Sequence, residues 1–387
     1  MTSATPAEPP DDLVEATGPD LHGLATGVRP PSRAAEQRAR ARLDTLLLPP
    51  DGLGSLQRLA LWWAAVRDDE TAPPPASVEA VVLAADHGVA VRGVSALPLG
   101  HTAVSARALR DGRAATSAVA GRWGVPVRLV AVDVAGPHGP EARPLDSGDV
   151  MDTGLLSRSV ALGSEVADEL VAAGRDLVVL GDLGVGSTTT AAAAVGAVLR
   201  RPVLDVVGRG SGVDDTAWMR KAAAVREGLR RARARSRDVT TVLRTVGSPD
   251  LAAAVALLLR CSAAGLPVVL DGPLVVAAAV LANRVSPTAR QWWLVAERTD
   301  EPCVHRALET FAMTPVLDLG VRAGSGLAGL LAVQALGAAV AVQHGTVTSA
   351  EAWPAVETPE EPDGYPDRQP DSQPDDDADG PEGSTTA

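Results

Sequence analysis

The sequence predicts an α/β fold built on a doubly wound, mostly parallel sheet. Short runs dense in valine and leucine recur along the chain and alternate with alanine-rich stretches of helical character. Apolar runs of this length are typical of strands in a parallel sheet that is buried on both faces. Strand and helix alternate through roughly residues 80 to 300, so right-handed crossovers should place helices on both faces of the sheet.

The predicted strands share an unbroken apolar character and lie between polar or glycine-bearing segments. They are Val81–Leu83, Val127–Val134, Leu177–Leu180, Val203–Val207, Val268–Leu270 and Trp292–Val295. A crossover helix is predicted between two of them, because Leu162, Val166 and Leu170 recur at four-residue spacing with acidic residues between them. Gly174 follows as a helix stop.

The two ends of the chain differ in composition from its body. Residues 1–20 carry five acids and no base, and residues 357–387 carry eleven acids and one arginine. Such segments hold too few apolar side chains to offset the entropy that is lost on ordering. The sequence therefore predicts disordered acidic, proline-rich tails over residues 1–32 and 349–387.

A single domain is predicted over residues 33–348. Its helices at about residues 33–67 and 326–343 flank the predicted sheet and are expected to pack together as a small helical subdomain. The apolar segment Gly326–Val342 is short for a bilayer span and contains Gln334, so a buried helix is the better interpretation.

Composition argues against several classes of protein. The net charge of −13 resides in the tails, so the body is nearly neutral and presents no case for binding nucleic acid or a membrane. Cys261 and Cys303 lack partners at metal-ligand spacing, which argues against a zinc site and against a disulfide framework. The N-terminus is acidic and proline-rich, unlike a secretory signal, and a cytoplasmic location is expected.

Polar, glycine-bearing loops follow several of the predicted strands. They are Asp86–Gly88, Gly181–Thr190, Gly208–Asp215 and Asp271–Gly272. In a parallel sheet the carboxyl ends of the strands lie on one edge, and ligands bind there at the point where the strand order reverses. The four loops are therefore expected to converge on one crevice.

The loop after the third predicted strand has the strongest local pattern for anion binding. Its three glycines, Gly181, Gly184 and Gly186, allow close approach of the backbone. Ser187 and Thr188 then open an alanine-rich helix, whose first N–H groups can bind an anion. The loop contains no lysine, which argues against a nucleotide-triphosphate P-loop. A purely structural glycine turn is the alternative interpretation.

Lys221 is the only lysine of the chain and follows the loop that begins at Gly208. A lysine ammonium is a compact point charge and a guanidinium is a planar fork, so the two are not interchangeable at a tight anionic site. The placement favours a phosphate-bearing ligand, and chance retention is the alternative. Asp214, Asp215 and Asp271 are candidates to orient ribose hydroxyls, with helix capping or turn formation as the alternative for each.

These loops belong to a longer ordered set of motifs. The set is Leu48–Gly54, Ala84–Val89 with Gly93–Ser95, Gly181–Thr190, Gly212–Asp215 with Arg220–Lys221, Asp271–Gly272 and Leu317–Gly326. In this order the motifs resemble those of the nicotinate-nucleotide:dimethylbenzimidazole phosphoribosyltransferase family. The resemblance runs from about residue 43 to about residue 343.

The resemblance implies a single Rossmann-like domain, usually a homodimer. It implies transfer of 5-phosphoribose from nicotinate mononucleotide to a benzimidazole nitrogen, with inversion at the anomeric carbon. The products are α-ribazole phosphate and nicotinate, in the assembly of the cobalamin nucleotide loop. No metal or other cofactor is implied, because nicotinate leaves from a cationic ring nitrogen and the protein mainly fixes phosphate, ribose and incoming base.

The resemblance also assigns roles to residues. Phosphate and ribose binding is assigned to Gly181, Gly184, Gly186, Ser187, Thr188, Gly210, Gly212, Lys221 and Asp271. The pocket for the acceptor base is assigned to Asp86, His87, Ser95, Leu97 and Val104. The catalytic positions are Ser325 and Asp182. For His87 a purely structural role is the alternative.

Departures from the family pattern cluster at the catalytic and base-pocket positions. Ser325 stands where the family has a glutamate that takes the benzimidazole proton, and a serine does not serve that role unaided at neutral pH. Leu97 replaces a tyrosine and Val104 a glutamine. The milder changes place Asp182, Ser187 and Glu297 where a glutamate, an asparagine and a histidine are usual.

Three hypotheses follow from these departures. General acid–base help is typically worth roughly 10² to 10⁴ in rate, so its loss would weaken transfer without abolishing binding. The first hypothesis is a transferase with reduced or respecialised activity, in which Asp182, Glu297 or Glu301 replaces the missing carboxylate. The second is a catalytically degenerate member that binds nucleotide or base as a sensor or partner protein. The third is a structural protein without a small ligand.

Overall fold

The computed structural model describes residues 19–134, 140–233 and 238–353. Within them lies a five-stranded sheet in which every neighbouring pair of strands runs parallel. The strands are β1 (Val78–Ala85), β2 (Val127–Asp133), β3 (Leu177–Leu183), β4 (Val268–Asp271) and β5 (Trp293–Val295). Every residue of β1 is buried, as expected for a parallel strand covered on both faces.

The α-helices of the described residues connect and cover these strands. They are α1 (Leu21–Leu24), α2 (Arg33–Leu43), α3 (Ser55–Arg67), α4 (His101–Arg110), α5 (Ala115–Arg122), α6 (Thr153–Ala172), α7 (Ser187–Leu199), α8 (Asp215–Ala232), α9 (Val239–Val246), α10 (Pro249–Ala264), α11 (Pro273–Val285), α12 (Pro302–Phe311), α13 (Leu327–Gly345) and α14 (Ser349–Ala352). The predicted crossover helix is α6, which ends before Gly174, where φ is +65°. The predicted α/β fold is confirmed.

The order of the strands determines where a ligand can bind. The order across the sheet is β2-β1-β3-β4-β5, so the chain moves outward from β1 to β2 and then returns past β1 to β3. In doubly wound sheets the crevice at such a reversal, beyond the carboxyl ends of the strands, is the usual binding site. The loops after β1 and β3 flank this reversal.

One predicted strand is wrong. The run Val203–Val207 contains a short 3-10 helix, Val203–Asp205, which begins after Pro202 and packs against α7 and α8. Val206 and Val207 are buried by these helices. The apolar pattern therefore reflects burial by neighbouring helices and not pairing with another strand. The glycine loop that follows is preceded by a 3-10 helix instead of a strand.

The N-terminal and C-terminal helices pack together, as the sequence analysis predicts. α2 packs on α3, and α3 packs on α13. Arg42 Nε donates to the carbonyl oxygen of Gln343 over 3.1 Å, and Gln343 Nε2 donates to the carbonyl oxygen of Glu70 over 3.0 Å. By length and composition α13 is apolar enough to cross a membrane, but it is half buried and also packs on β3 and β4. That is the arrangement of a core helix.

The predicted tails are shorter than expected where the structure describes them. Residues 19–32 include α1, whose Leu21 is buried, and the Nε1 of Trp292 donates to the carbonyl oxygen of Arg29 over 2.8 Å. Residues 349–353 include α14, which begins with a capping box between Thr348 and Glu351. The prediction of disorder is wrong for these two stretches. Residues 1–18 and 354–387 lie outside the described residues.

Packing between α6 and α10 depends on the absence of a side chain at Gly163. A Cβ at this position would lie 2.0 Å from the carbonyl oxygen of Ala253, far inside van der Waals contact. Gly163→Ala should therefore lower the free energy of unfolding by about 1–3 kcal/mol, because the two helices must separate to admit the methyl group. Urea denaturation measures this change.

Gly337→Ala in α13 is the matched control, since nothing lies within 4 Å of a Cβ at Gly337. It should be neutral or stabilising by up to about 1 kcal/mol through helix propensity. Equal stability of both variants would contradict the close packing of α6 on α10.

Candidate active site

A cavity of about 350 Å³, called the main cavity below, opens at the carboxyl ends of β3, β4 and β5. The predicted site residues that line it are Ser95, Leu97, Asp182, Gly184, Gly186, Ser187, Thr188, Gly210, Asp271 and Ser325. Loops that are far apart along the chain therefore meet around one space, and the loop Asp86–Gly88 lies below it.

A second cavity of about 300 Å³, called the side cavity, adjoins the first. The two cavities share a wall that consists of Leu97, Leu183, Gly184, Ala323 and Ser325. The rest of the side cavity is formed mainly by α4 and the start of α5. Its lining is mixed, with the aliphatic side chain of Leu109 and the hydroxyls of Thr102 and Thr116.

The turn from β3 into α7 brings a helix N-terminus to the main cavity. Gly184 has no room for a side chain, because a Cβ there would lie 2.3 Å from the carbonyl oxygen of Ala85. Gly186 has a φ of +97°, in the left-handed region that favours glycine. Ser187 and Thr188, the first residues of α7, line the cavity. This placement directs the positive end of the helix dipole at the cavity wall.

Two of the predicted phosphate-binding glycines line neither cavity. A Cβ at Gly181 would lie 2.3 Å from the backbone nitrogen of Gly326, so this glycine lets the loop before α13 pass directly over β3. Gly212 has a φ of +91° with open space around it, and it forms the turn that leads into α8. Both glycines shape the backbone path and do not contact the space where a ligand would lie.

Two of the candidate ribose-binding carboxylates are occupied elsewhere. Asp214 caps α8, since its Oδ1 accepts a hydrogen bond from the backbone nitrogen of Ala217 over 2.7 Å. Asp215 is exposed and pairs with Arg209. The capping interpretation therefore holds for Asp214, and Asp271 is the member of this set that lines the main cavity.

Lys221 is fully buried directly behind the Gly210 loop. Its Nζ donates to Thr188 Oγ1 over 2.8 Å, and a Cβ at Gly210 would lie 2.9 Å from the same Nζ. The ammonium of Lys221 therefore lies next to Thr188 and Gly210, which line the main cavity, although Lys221 itself does not line it. Burial lowers the pKa of Lys221, and the negative charge of Glu301 opposes that shift.

Asp86 and His87 line neither cavity, contrary to their assignment to the base pocket. His87 is 2% exposed, and its Nδ1 lies 3.0 Å from Thr190 Oγ1. A Cβ at Gly184 would lie 2.8 Å from its Nε2. The backbone nitrogen of Asp86 donates to the carbonyl oxygen of Asp133, which ties the loop to β2. His87 therefore supports the glycine turn from below, and the structural interpretation holds.

His87 forms a buried ion pair with Asp250, which sequence analysis missed. Its Nε2 lies 3.3 Å from Asp250 Oδ2. Burial favours the neutral imidazole, but the charge of Asp250 and the hydrogen bond to it outweigh burial and raise the pKa of His87. Burial also favours protonation of Asp250, yet the charge of His87 prevails and lowers the pKa of that carboxyl. Nothing in the local sequence connects the two residues, because Asp250 lies in the first turn of α10.

Asp182 and Asp271 are buried carboxyls in the wall of the main cavity. Burial, reinforced by the negative charge of Asp250, raises the pKa of Asp182 to about 7, while His87 opposes the shift. Burial raises the pKa of Asp271 to about 6, although its Oδ2 accepts a hydrogen bond from the backbone nitrogen of Ala328. Both carboxyls therefore titrate near neutral pH.

Ser325 lies in the wall between the two cavities. Its φ is +57°, and Gly324 and Gly326 on either side are also left-handed. Its backbone nitrogen donates to the carbonyl oxygen of Asp182 over 3.2 Å, which fixes the loop against the end of β3. Val104, in contrast, is 67% exposed on α4 and lines neither cavity, so the structure does not bring it together with the other predicted site residues.

Three further acidic residues line the main cavity: Glu297, Asp300 and Glu301. The sequence analysis named Glu297 and Glu301 as possible replacements for the missing base and did not name Asp300. Glu297 Oε1 accepts hydrogen bonds from the backbone nitrogens of Leu319 and Gly320, both over 2.7 Å. Glu301 Oε1 accepts a hydrogen bond from the backbone nitrogen of Gly210 over 2.5 Å. The described residues contain no group of three or more His, Cys, Asp or Glu side chains that could hold a metal ion.

The fold and the cavity together define a class of protein. A helix N-terminus, a glycine loop and a buried ammonium meet at the strand-order reversal of a parallel sheet. These are the elements that α/β enzymes use to hold a phosphate group.

Comparison with known proteins identifies the family. A family model described as phosphoribosyltransferase matches residues 28–353, and the chain belongs to this family. It is thus a pentosyltransferase. The resemblance found in the sequence is confirmed.

Relatives with assigned names agree with this family. The chain is 39% identical over 290 residues to a nicotinate-nucleotide–dimethylbenzimidazole phosphoribosyltransferase of Corynebacterium glutamicum, which covers 73% of this chain and 81% of the relative. A protein of the same name from Mycobacterium avium is 40% identical over 84% of this chain and 96% of its own length. The crystal structure of CobT from Thermus thermophilus has a TM-score of 0.77 and 34% identity, covering 82% of this chain and 98% of that structure.

The raised pKa of Asp182 predicts a pH-dependent effect on stability. Its pKa of about 7 in the folded protein exceeds the value of about 3.9 expected in the unfolded chain, so the ionised carboxylate destabilises the fold above pH 7. Asp182→Asn should therefore raise the free energy of unfolding at pH 8 by on the order of 1 kcal/mol or more. The gain should shrink as the pH falls from 7 to 4 and be lost below about pH 4, where both the folded and the unfolded chain carry a protonated Asp182.

Urea denaturation across this pH range measures the effect. Asp168→Asn is the control, because Asp168 forms an exposed pair with Arg260 on the surface. A gain for Asp182→Asn that does not change with pH would show that burial does not shift the titration of this carboxyl.

Proposed function

We propose that this enzyme transfers the 5-phosphoribosyl group from nicotinate mononucleotide to 5,6-dimethylbenzimidazole or a related base. The products are α-ribazole 5′-phosphate and nicotinate, in the assembly of the cobalamin nucleotide loop. One observation carries the proposal: the start of α7, the Gly210 loop and the Lys221 ammonium meet at one wall of the main cavity, with a second cavity beyond Ser325. The names of the relatives support the same substrates.

The donor phosphate is proposed to bind at the wall formed by Thr188 and Gly210. The hydroxyl of Thr188, the dipole of α7 and the charge of Lys221 all favour an anion at this wall. Asp271 lines the same cavity and is proposed to accept a hydrogen bond from the ribose. The donor would then extend from the phosphate wall towards Ser325.

The side cavity is proposed to hold the acceptor base. A nitrogen of the acceptor attacks C1′ of the ribose while the bond from C1′ to the nicotinate nitrogen breaks. The electron pair of that bond returns to the pyridinium ring, which leaves as neutral-ring nicotinate. Attack from the face opposite the leaving ring inverts C1′, and two cavities that share a wall suit substrates which meet from opposite sides. Holding both substrates in this arrangement supplies a large part of the rate.

The attacking nitrogen of the benzimidazole has a free lone pair and no proton, so its bond to C1′ leaves the benzimidazole ring positively charged. Asp182 is proposed to take the N–H proton of the other ring nitrogen, which restores a neutral ring. The Ser325 hydroxyl is too weak a base at neutral pH. A general base works best when its pKa lies near the operating pH, and burial brings the pKa of Asp182 to about 7. Asp182 also lies against Ser325, whose backbone nitrogen donates to its carbonyl oxygen.

The assay for this function is nicotinate release. Purified enzyme given nicotinate mononucleotide and 5,6-dimethylbenzimidazole should release nicotinate and form α-ribazole 5′-phosphate, detected by chromatography. Asp182→Asn should lower kcat by roughly 10² to 10⁴ with the affinity for nicotinate mononucleotide little changed, since the amide cannot take a proton. Asp168→Asn, on the outer surface of α6, should retain activity. Failure to release nicotinate with any benzimidazole would contradict the proposed function.

Ser325 favours a second candidate function, that of a binding protein without turnover. Ser325→Glu separates the two candidates, since it places a carboxylate in the wall between the cavities. The substitution should add no backbone strain, because Ser325 already carries a Cβ at a φ of +57°. If the site is built for transfer, kcat should rise by at least about tenfold, within the usual range for a general base. Retained binding of nicotinate mononucleotide without any gain in turnover would favour the binding protein.

The enzyme is further proposed to be a cytoplasmic homodimer. The dimer is what the family resemblance implies. Its support here is a set of exposed apolar side chains, for which contact with solvent is unfavourable in a monomer. They are Val91, Leu99 and Val104.

A further inference from the structure

Glu301 directs its side chain away from its own helix. It occupies the N-cap position of α12, where a side chain ordinarily accepts a hydrogen bond from the first turn, but it makes no such bond. Its Oε1 accepts a hydrogen bond from the backbone nitrogen of Gly210, and its Oε2 lies 4.0 Å from Lys221 Nζ. The carboxylate therefore sits between the glycine loop and the buried ammonium.

The glycine loop is shaped around this carboxylate. A Cβ at Gly208 would lie 2.7 Å from both carboxylate oxygens of Glu301. Gly210 has a φ of +53°, which turns its N–H towards Oε1. The side chain of Glu301 is 9% exposed, and its Oε2 has no hydrogen-bond partner among the described residues. A carboxylate thus already accepts a hydrogen bond from the Gly210 N–H and lies near the Lys221 ammonium.

The Gly210 loop and the Lys221 ammonium, which Glu301 contacts, are two of the groups assigned above to the phosphate of the donor substrate. We propose that the Glu301 carboxylate occupies the phosphate subsite of the ligand-free enzyme and is displaced when a phosphomonoester binds. The inference rests on the proposed function only for the identity of the ester. The contacts of the Glu301 carboxylate with Gly210 and Lys221 do not depend on the proposed function.

Charge supports displacement over joint occupancy. A phosphomonoester carries close to two negative charges at neutral pH, and at this wall it would compete with Glu301 for the Gly210 N–H and for the charge of Lys221. Lys221 is the buried cation beside the carboxylate, while Arg209 is half exposed and pairs with Asp215. Cys303 is also close, but burial raises the pKa of its thiol to about 12, so it stays neutral. One buried ammonium does not neutralise a carboxylate and a dianion together.

An internal anion also explains how the empty site remains folded. A buried ammonium without a counter-charge is costly, and burial already lowers the pKa of Lys221. The negative charge of Glu301 opposes this lowering of the pKa and so favours the charged ammonium in the ligand-free site. The consequence is a weaker affinity for the phosphate than the same donors would otherwise give.

Titration calorimetry with inorganic phosphate and with ribose 5-phosphate, at pH 7.5, tests the proposal on the full-length chain. Glu301→Gln keeps the shape and a carbonyl acceptor but removes the charge, so both probes should bind at least about tenfold more tightly than to the unchanged enzyme. Glu309→Gln is the matched control, because it removes the same charge from an exposed position on the same helix and should change affinity by less than about twofold.

Two more variants assign the effect to the subsite. Lys221→Met, alone or combined with Glu301→Gln, should abolish binding of both probes. Glu301→Asp keeps the charge on a shorter side chain and should give an intermediate affinity, and it carries the test if Glu301→Gln does not fold.

Equal or weaker binding by Glu301→Gln and Glu301→Asp would overturn the proposal, as would tighter binding that survives Lys221→Met. Absence of detectable binding in every variant would overturn it as well. These outcomes are independent of catalysis: tighter phosphate binding without nicotinate release would leave the inference standing while the proposed function fails.

Discussion

The site depends on the close approach of backbone segments at the carboxyl end of β3. A side chain at Gly181 would collide with the backbone of Gly326, and one at Gly184 would collide with the carbonyl oxygen of Ala85. At these two positions the backbone at the end of β1, the turn into α7 and the loop before α13 lie in direct contact, with no side chain between them. Because the loops meet there without intervening side chains, Ser325 and Asp182 become neighbours and both cavities share one wall.

That close packing buries several charged groups away from water. Two pairs of opposite charge lie among them. His87 and Asp250 form an ion pair beneath the glycine turn, and Lys221 and Glu301 lie close together behind the Gly210 loop. Asp182, by contrast, lines the cavity, and burial together with the charge of Asp250 raises its pKa to about 7 although His87 opposes the shift. The buried pairs hold the scaffold in place, whereas the carboxyl of Asp182 can exchange a proton near pH 7. This division of roles is usual where environments push the pKa values of neighbouring groups apart.

Sequence reasoning located the sheet and the loops that carry the site, since runs such as Leu177–Leu180 are buried strands followed by glycine turns. It misassigned Val203–Val207, because an apolar run records burial and does not record whether the neighbour is a strand or a helix. His87 and Val104 were placed in the base pocket by motif position alone, whereas side-chain direction is set by packing that the motif does not contain. Contacts such as Glu301 with Gly210, 91 residues apart along the chain, depend on the folded topology and leave no local pattern.

The arrangement also explains how a family member without the usual glutamate can keep its chemistry. Nicotinate is a good leaving group because it departs from a cationic ring, so the protein's main tasks are to fix the phosphate and to align two rings across C1′. Those tasks fall to the start of α7, the Gly210 loop and the shared wall, none of which involves the Ser325 side chain as a proton acceptor. Proton removal contributes less than alignment, and a carboxyl whose pKa lies near 7 is already beside the wall at Asp182. On the proposed function, the serine at position 325 removes one contribution to the rate, while the arrangement of the two cavities that would align the substrates does not depend on its side chain.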